Sequence, residues 1–227
     1  MRVVLFGATG MVGQGVLREC VRNPAVEAVL SVVRRVGSRT AGVGGAWAKS
    51  AKVRELVADN FYDFSPIESE FAGYDACFFC LGVSSVGVKE PEYRRVTYDI
   101  TMAAAGAVLR ANPEAMTFIY VSGAGTDAKG RAMWARVKGE TENALLAMPF
   151  QAAYMFRPGG IVPLHGIQSK TAAYRAIYTA MTPLLPLLLR IFPKQITTTE
   201  QVGRAMLRVT KYGYPKQVLE SADIASA

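Results

Sequence analysis

The sequence predicts an α/β protein: a doubly wound parallel sheet with a small C-terminal helical cap. Three observations carry that expectation. Short apolar runs recur up to about residue 158 and alternate with stretches of helical periodicity. The runs are apolar at successive positions rather than at alternate ones, so both faces of the sheet are expected to be covered. The first run also passes through a glycine-rich turn straight into the first helix, in RVVLFGATGMVGQGVL, residues 2–17.

The elements follow in order. A strand is expected at 3–6, then a turn holding Gly7, Gly10 and Gly13, then a helix over 11–23. Further strands are expected at 28–33, 53–57, 76–81, 117–122 and 152–157, with helices at 91–111 and 133–148. The glycine-rich stretch GSRTAGVGGAWAKSAK, 37–52, reads as an irregular loop. Beyond residue 158 the alternation fades. SKTAAYRAIYTAM (169–181) and TTTEQVGRAMLRVTK (197–211) read as helices, the second opening with Thr197 and Glu200 at capping-box spacing. The chain is therefore expected to form one domain over 1–227, with about 164–227 as a substrate-side extension.

Composition narrows the classes. The net charge of +8 favours anionic ligands, yet the longest basic cluster is Arg34-Arg35 and no helix is lined with Lys and Arg, so no nucleic-acid partner is expected. No apolar stretch reaches the roughly 20 residues that cross a bilayer. The nearest, PLLPLLLRIFP (183–193), is broken by Pro186 and Arg190 and reads as a greasy cap over a pocket. The N-terminus does not read as a signal peptide, and three cysteines, an odd number, suit a reducing cytoplasm. Cys77 and Cys80 form C-x-x-C within an expected strand. Residues three apart there point to opposite faces, so the pair reads as buried small hydrophobes, with no metal site.

A strand, a turn with little side chain and a helix, in that order, suit a phosphate. Missing side chains let the ligand approach the backbone, and the free amides of the helix N-terminus meet its charge. Gly7, Thr9, Gly10, Met11, Val12 and Gly13 are the expected contacts. A carboxylate about 20 residues beyond such a turn would bind the ribose of NAD. The second strand instead ends LSVVRRVG, placing Arg34 and Arg35 there; guanidinium groups suit a 2′-phosphate, which favours NADP over NAD.

GATGMVG resembles the nucleotide-binding turn of the short-chain dehydrogenase/reductase superfamily, in its extended and atypical branches. DACFFCLG, IYVSGAG, WARVKGETE and FRPGGIVP resemble that group's fourth strand, fifth strand, active-site helix and sixth strand with its following loop, so the resemblance spans roughly residues 2–163. Small NAD(P)-binding epimerase-like proteins are the nearest in flavour. The resemblance implies a Rossmann-like fold, Asp59 near the adenine, Leu81, Gly82 and Val83 along the ribose and pyrophosphate, and Pro158 and Gly159 in the loop beside the cofactor.

It also implies a Ser, Tyr and Lys catalytic set, with Tyr and Lys four apart on one helix face. Lys138 fills the Lys slot, but Trp134 stands in the Tyr slot, and indole is no acid or base near neutral pH. Ser122 is kept at the strand end, whereas Gly123 fills the second serine position. His165, Asp127 and Glu140 are possible substitute proton carriers; Tyr120 is expected to be buried in its strand. Tyr212 to Lys216 matches Y-x-x-x-K literally but contains Gly213 and Pro215, which oppose a helix, and reads as a decoy. Two functions follow: an NADP-dependent oxidoreductase or epimerase-like enzyme acting on a small molecule with an unusual acid, or an NADP-binding sensor or regulator that has lost turnover.

Overall fold

The structure, a computed structural model, describes residues 1–35, 47–167 and 195–227. The helix expected at 169–181, the apolar segment 183–193 and most of the 37–52 loop lie outside the described residues.

The strands are β1 (Arg2–Phe6), β2 (Ala28–Val33), β3 (Val53–Val57), β4 (Ala76–Phe79), β5 (Thr117–Val121) and β6 (Ala152–Arg157), with β9 (Val218–Glu220) near the end of the chain. They form one sheet in the order β3-β2-β1-β4-β5-β6-β9, and every pairing in it is parallel. A second, two-stranded parallel sheet joins β7 (Gly160–Val162) to β8 (Ile196–Thr198). The main helices are α1 (Met11–Arg22), α3 (Ile100–Ala111), α4 (Met133–Leu146) and α5 (Thr199–Tyr212). This is the doubly wound Rossmann-like sheet expected from the apolar runs.

Strand side chains alternate between two cores, as a sheet covered on both faces requires. Val3, Leu5, Phe78 and Ile119 pack with Val16 and Cys20 of α1 and Val202 and Met206 of α5. Val4, Phe6, Phe79 and Phe118 pack with Ala104 and Val108 of α3 and Leu145 of α4. Phe6 lies 5.3 Å from Phe79 and 5.5 Å, edge-on, from Phe64, and each fully buried ring contributes about 1.5–3 kcal/mol. The C-x-x-C pair divides as expected, Cys77 into one core and Cys80 toward the other, and all three cysteines are free. No group of residues that could hold a metal occurs among the described residues.

The helix expected at 91–111 forms, as α2 (Glu90–Arg94), a π turn (Arg95–Asp99) and α3 in unbroken succession, and two other expectations are corrected. Tyr93, Thr97, Thr101 and Ala105 are all buried; residues four apart drift round a regular α-helix, and a widened turn returns them to one face. The capping box of α5 is Thr198 with Gln201, not Thr197 with Glu200: Gln201 donates its amide to Thr198 Oγ1 at 3.0 Å, and Thr198 N donates to Gln201 Oε1 at 2.9 Å. Thr198 is the last residue of β8 and the N-cap of α5, so the cap falls one residue later than expected. Finally, the described end of the expected extension belongs to the main layers. There α5 packs on α1, β9 extends the sheet beside β6, and α6 (Ser221–Ser226) follows. Gly15 and Gly203 permit the close helix contact: a Cβ on either would come within 3 Å of Thr199 or Glu19.

Candidate functional site at the carboxyl edge of the sheet

In a parallel sheet all carboxyl ends share one edge, and a crevice opens where the winding reverses. Here the reversal lies between β1 and β4. A cavity of about 550 Å³ opens at this edge. Gly10, Met11 and Val12 of the glycine turn form one wall, and Leu81, Gly82 and Val83, just past β4, form the next. Ser122, Trp134, Lys138, Pro158 and Gly159 close the other side, so residues expected from five separate stretches of sequence meet around one space.

The three glycines of the turn do different work. Gly7 has φ +80° and passes so close to the end of β4 that a Cβ would sit 2.6 Å from the Cys80 carbonyl carbon. A Cβ on Gly13 would overlap the Gly7 carbonyl oxygen. Only Gly10 borders the cavity, with an extended backbone (φ −81°, ψ 165°) and a single neighbour, Gly7 O, at 3.3 Å from a Cβ. Gly10 is also the N-cap of α1, which has no side-chain cap and no acidic residue in its first turn. Its free amides are thus left for an anion at the cavity wall. Thr9 takes part through its carbonyl, which accepts from Gln14 Nε2 at 3.1 Å.

Arg34 and Arg35 directly follow β2, exposed and, among the described residues, unpaired. The register Phe6↔Val32 sets Arg34 beside the glycine turn, at the same sheet edge but outside the cavity wall. Asp59 is exposed just past β3, after Ala58, whose amide donates to the Val33 carbonyl at 2.9 Å.

Beneath the cavity lies a buried polar chain that the sequence reading missed. Glu142, 1% exposed, accepts from Arg157 through both carboxylate oxygens, with Nη2 at 2.5 Å. It also accepts from Ser122 Oγ at 2.5 Å, while Ser122 O accepts from Lys138 Nζ at 2.5 Å. The Ser122 hydroxyl proton is therefore turned inward, toward Glu142 and away from the cavity. A sequence signal existed for half of this chain: Glu142 stands four residues after Lys138, on the same helix face. For Arg157, which arrives from another element, there was none. Burial pulls the Lys138 ammonium down to about 8, partly offset by the Glu142 carboxylate.

The other candidate proton carriers lie elsewhere. Tyr120 is buried and burial pushes its phenol well up. Glu140 pairs with Arg94 at 2.5 Å. Asp127 is exposed, where its side chain accepts from the Lys129 amide at 2.9 Å. His165 takes a left-handed backbone (φ 58°) and bonds Glu200 at 2.5 Å, holding that carboxyl below its usual range together with Arg204. Tyr212 ends α5 in solvent, and Lys216 pairs with Asp223 at 2.7 Å; neither lines the cavity.

This architecture is the fold seen in short-chain dehydrogenase/reductases. An oxidoreductase of that family from Burkholderia thailandensis superposes with a TM-score of 0.70 at 16% identity, covering 99% of this chain and 92% of that one. UDP-glucuronic acid 4-epimerase from Bacillus cereus, in complex with NAD, gives a TM-score of 0.65 at 11% identity over 96% of this chain and 76% of that one. Among named relatives, "Protein FMP52-1, mitochondrial" of Scheffersomyces stipitis is 28% identical over 161 residues, 70% of this chain and 66% of the relative. "Protein fmp52, mitochondrial" of Emericella nidulans is 28% identical over 160 residues, 69% of this chain and 65% of the relative. The chain thus matches just under two thirds of either relative's length. No family model matches the chain.

These names correct the expectation of a cytoplasmic protein, since they point to mitochondria instead. Three free cysteines do not say which compartment holds the protein. No helix among the described residues is long and apolar enough to cross a membrane.

Proposed function

We propose that this chain binds NADP in the cavity at the sheet edge and serves as an oxidoreductase or epimerase-like enzyme on a small molecule. The observation that carries this reading is the uncapped, acid-free N-terminus of α1 with Gly10 at the cavity wall. It supplies what a pyrophosphate needs: free amides, a favourable dipole and no side chain in the way. Bound there, the nicotinamide gives or accepts a hydride. Lys138 holds its ribose, Trp134 forms a flat wall beside it, and Leu81, Gly82, Val83, Pro158 and Gly159 line the remaining surface. Ser122 belongs to the frame rather than to the chemistry, because its hydroxyl donates to Glu142.

The preference for NADP rests on Arg34 and Arg35, and Asp59 marks the adenine end. Arg34→Ala is expected to weaken NADPH binding by about 1.5–3 kcal/mol, the range for a hydrogen bond to a charged group, and to leave NADH nearly unchanged. Calorimetric titration with both nucleotides checks this; equal losses for the two would remove the 2′-phosphate assignment. A second reading, binding without turnover, draws on Trp134 and Gly123 in the catalytic slots. It predicts that bound NADPH is oxidised by no carbonyl compound.

A further inference from the structure

Resting on the nicotinamide reading above, we propose that Lys138 is itself the proton donor of this site, giving its ammonium proton to a substrate carbonyl oxygen, and that Glu142 is the residue that positions it.

Of the described residues that line the cavity, only Cys80 and Lys138 carry an ionisable side chain. Burial pushes the Cys80 thiol far up. Trp134 offers an N–H that does not ionise near neutral pH. The Ser122 hydroxyl already donates its proton in a hydrogen bond to Glu142. An ammonium has three N–H groups. One goes to Ser122 O at 2.5 Å, and no other described residue accepts from Nζ. Two remain at the wall of the cavity, one matching a ribose hydroxyl and the other a substrate oxygen.

Position and acidity come from the chain beneath. Arg157 grips Glu142, Glu142 holds the Ser122 hydroxyl, and the Ser122 carbonyl anchors Nζ. The Ser122 amide also donates to Phe156 O at 2.8 Å, tying the anchor to β6. Glu142 on its own helix acts on Lys138, and Cys80, past β4, lines the same cavity; Arg157 stands behind Glu142 with Glu220 3.5 Å further on, and Tyr120 on β5 is influenced by Glu142. Burial drives Lys138 to release its proton, and Glu142 restrains it. The resulting value of about 8 leaves the ammonium in place at neutral pH yet ready to transfer.

In the reducing direction, bound NADPH would supply a hydride to the carbonyl carbon, and the π pair would move onto oxygen. That oxygen takes a proton from Lys138 Nζ. The products are an alcohol, NADP⁺ and a neutral amine, which regains its proton from water at the cavity mouth.

The test uses full-length protein with [13Cε]lysine, Lys138 being assigned by its absence in Lys138→Arg. Lys138 is expected to titrate near 8, apart from the surface lysines, and Glu142→Gln to move its midpoint lower, because the restraining charge is gone. With NADPH bound and 4-nitrobenzaldehyde as probe, the rate is expected to be flat below pH 8 and to fall about tenfold per pH unit above it. Lys138→Arg keeps a cation that does not deprotonate; it is expected to bind NADPH within about threefold of the parent and to lose about a hundredfold or more in rate. A Lys138 signal that titrates with the surface lysines, bound NADPH with no reduction of the probe, or a Lys138→Arg variant with the parent rate overturns the proposal. Failure of every form to bind NADPH overturns the nicotinamide reading on which it rests.

Discussion

Glu142→Ala is expected to lower the free energy of unfolding by about 3 kcal/mol, the low end of the range for breaking a buried pair. Glu142 is 2% exposed at its side chain and accepts from Arg157 and Ser122 at once. Truncation leaves the Arg157 guanidinium without its bidentate partner and the Ser122 hydroxyl facing a void. The full range of about 3–5 kcal/mol is not reached because Arg157 is 23% exposed and retains Glu220 at 3.5 Å. Glu142→Gln keeps an acceptor of the same shape and is expected to cost about half as much. Urea unfolding followed by circular dichroism measures both, and a Glu142→Ala loss within about 0.5 kcal/mol of zero, the scatter of ordinary surface changes, would show that the pair contributes no net stability.

The second large effect separates two glycines of one turn. Gly10→Val is expected to fold with a penalty of about 1 kcal/mol, since valine is a poor N-cap, and to bind no NADPH. Its Cβ meets only the Gly7 carbonyl oxygen, at 3.3 Å, so the backbone accommodates it by a small shift while the branched side chain fills the phosphate position. Gly13→Val differs: its Cβ overlaps the same carbonyl, α1 cannot seat against β1, and the fold itself is expected to fail. Thermal unfolding run beside calorimetry distinguishes them. A folded Gly10→Val that binds NADPH like the parent would mean that the phosphate turn lies elsewhere.

The contrast marks how far the sequence could be read. Apolar runs such as VVLF and ACFF identify their strands because both faces of the sheet are covered, and the glycine spacing locates the turn. The spacing does not separate the duties of Gly7, Gly10 and Gly13, since one depends on a positive φ, one on the cavity and one on a carbonyl that approaches from the turn itself. β9 was missed because VLE is only three residues long and follows Pro215; it pairs because β6 would otherwise present an open edge. Trp134 and Lys138 were legible as helix neighbours one turn apart. The inward turn of Ser122 was not, because it depends on Glu142 from α4 meeting Arg157 from β6, a contact made by packing and not by local pattern.

The most direct test of a nicotinamide site at the sheet edge is a fluorescence titration of the full chain with NADPH. Trp134 borders the cavity, whereas Trp47 lies in a short turn against α1 with Arg18 5.6 Å from its ring. Bound nucleotide is predicted to quench or shift tryptophan emission saturably, at one site per chain, with the change lost in Trp134→Phe and kept in Trp47→Phe. No saturable binding, or an NADPH-dependent change that survives unaltered in Trp134→Phe, would contradict the account.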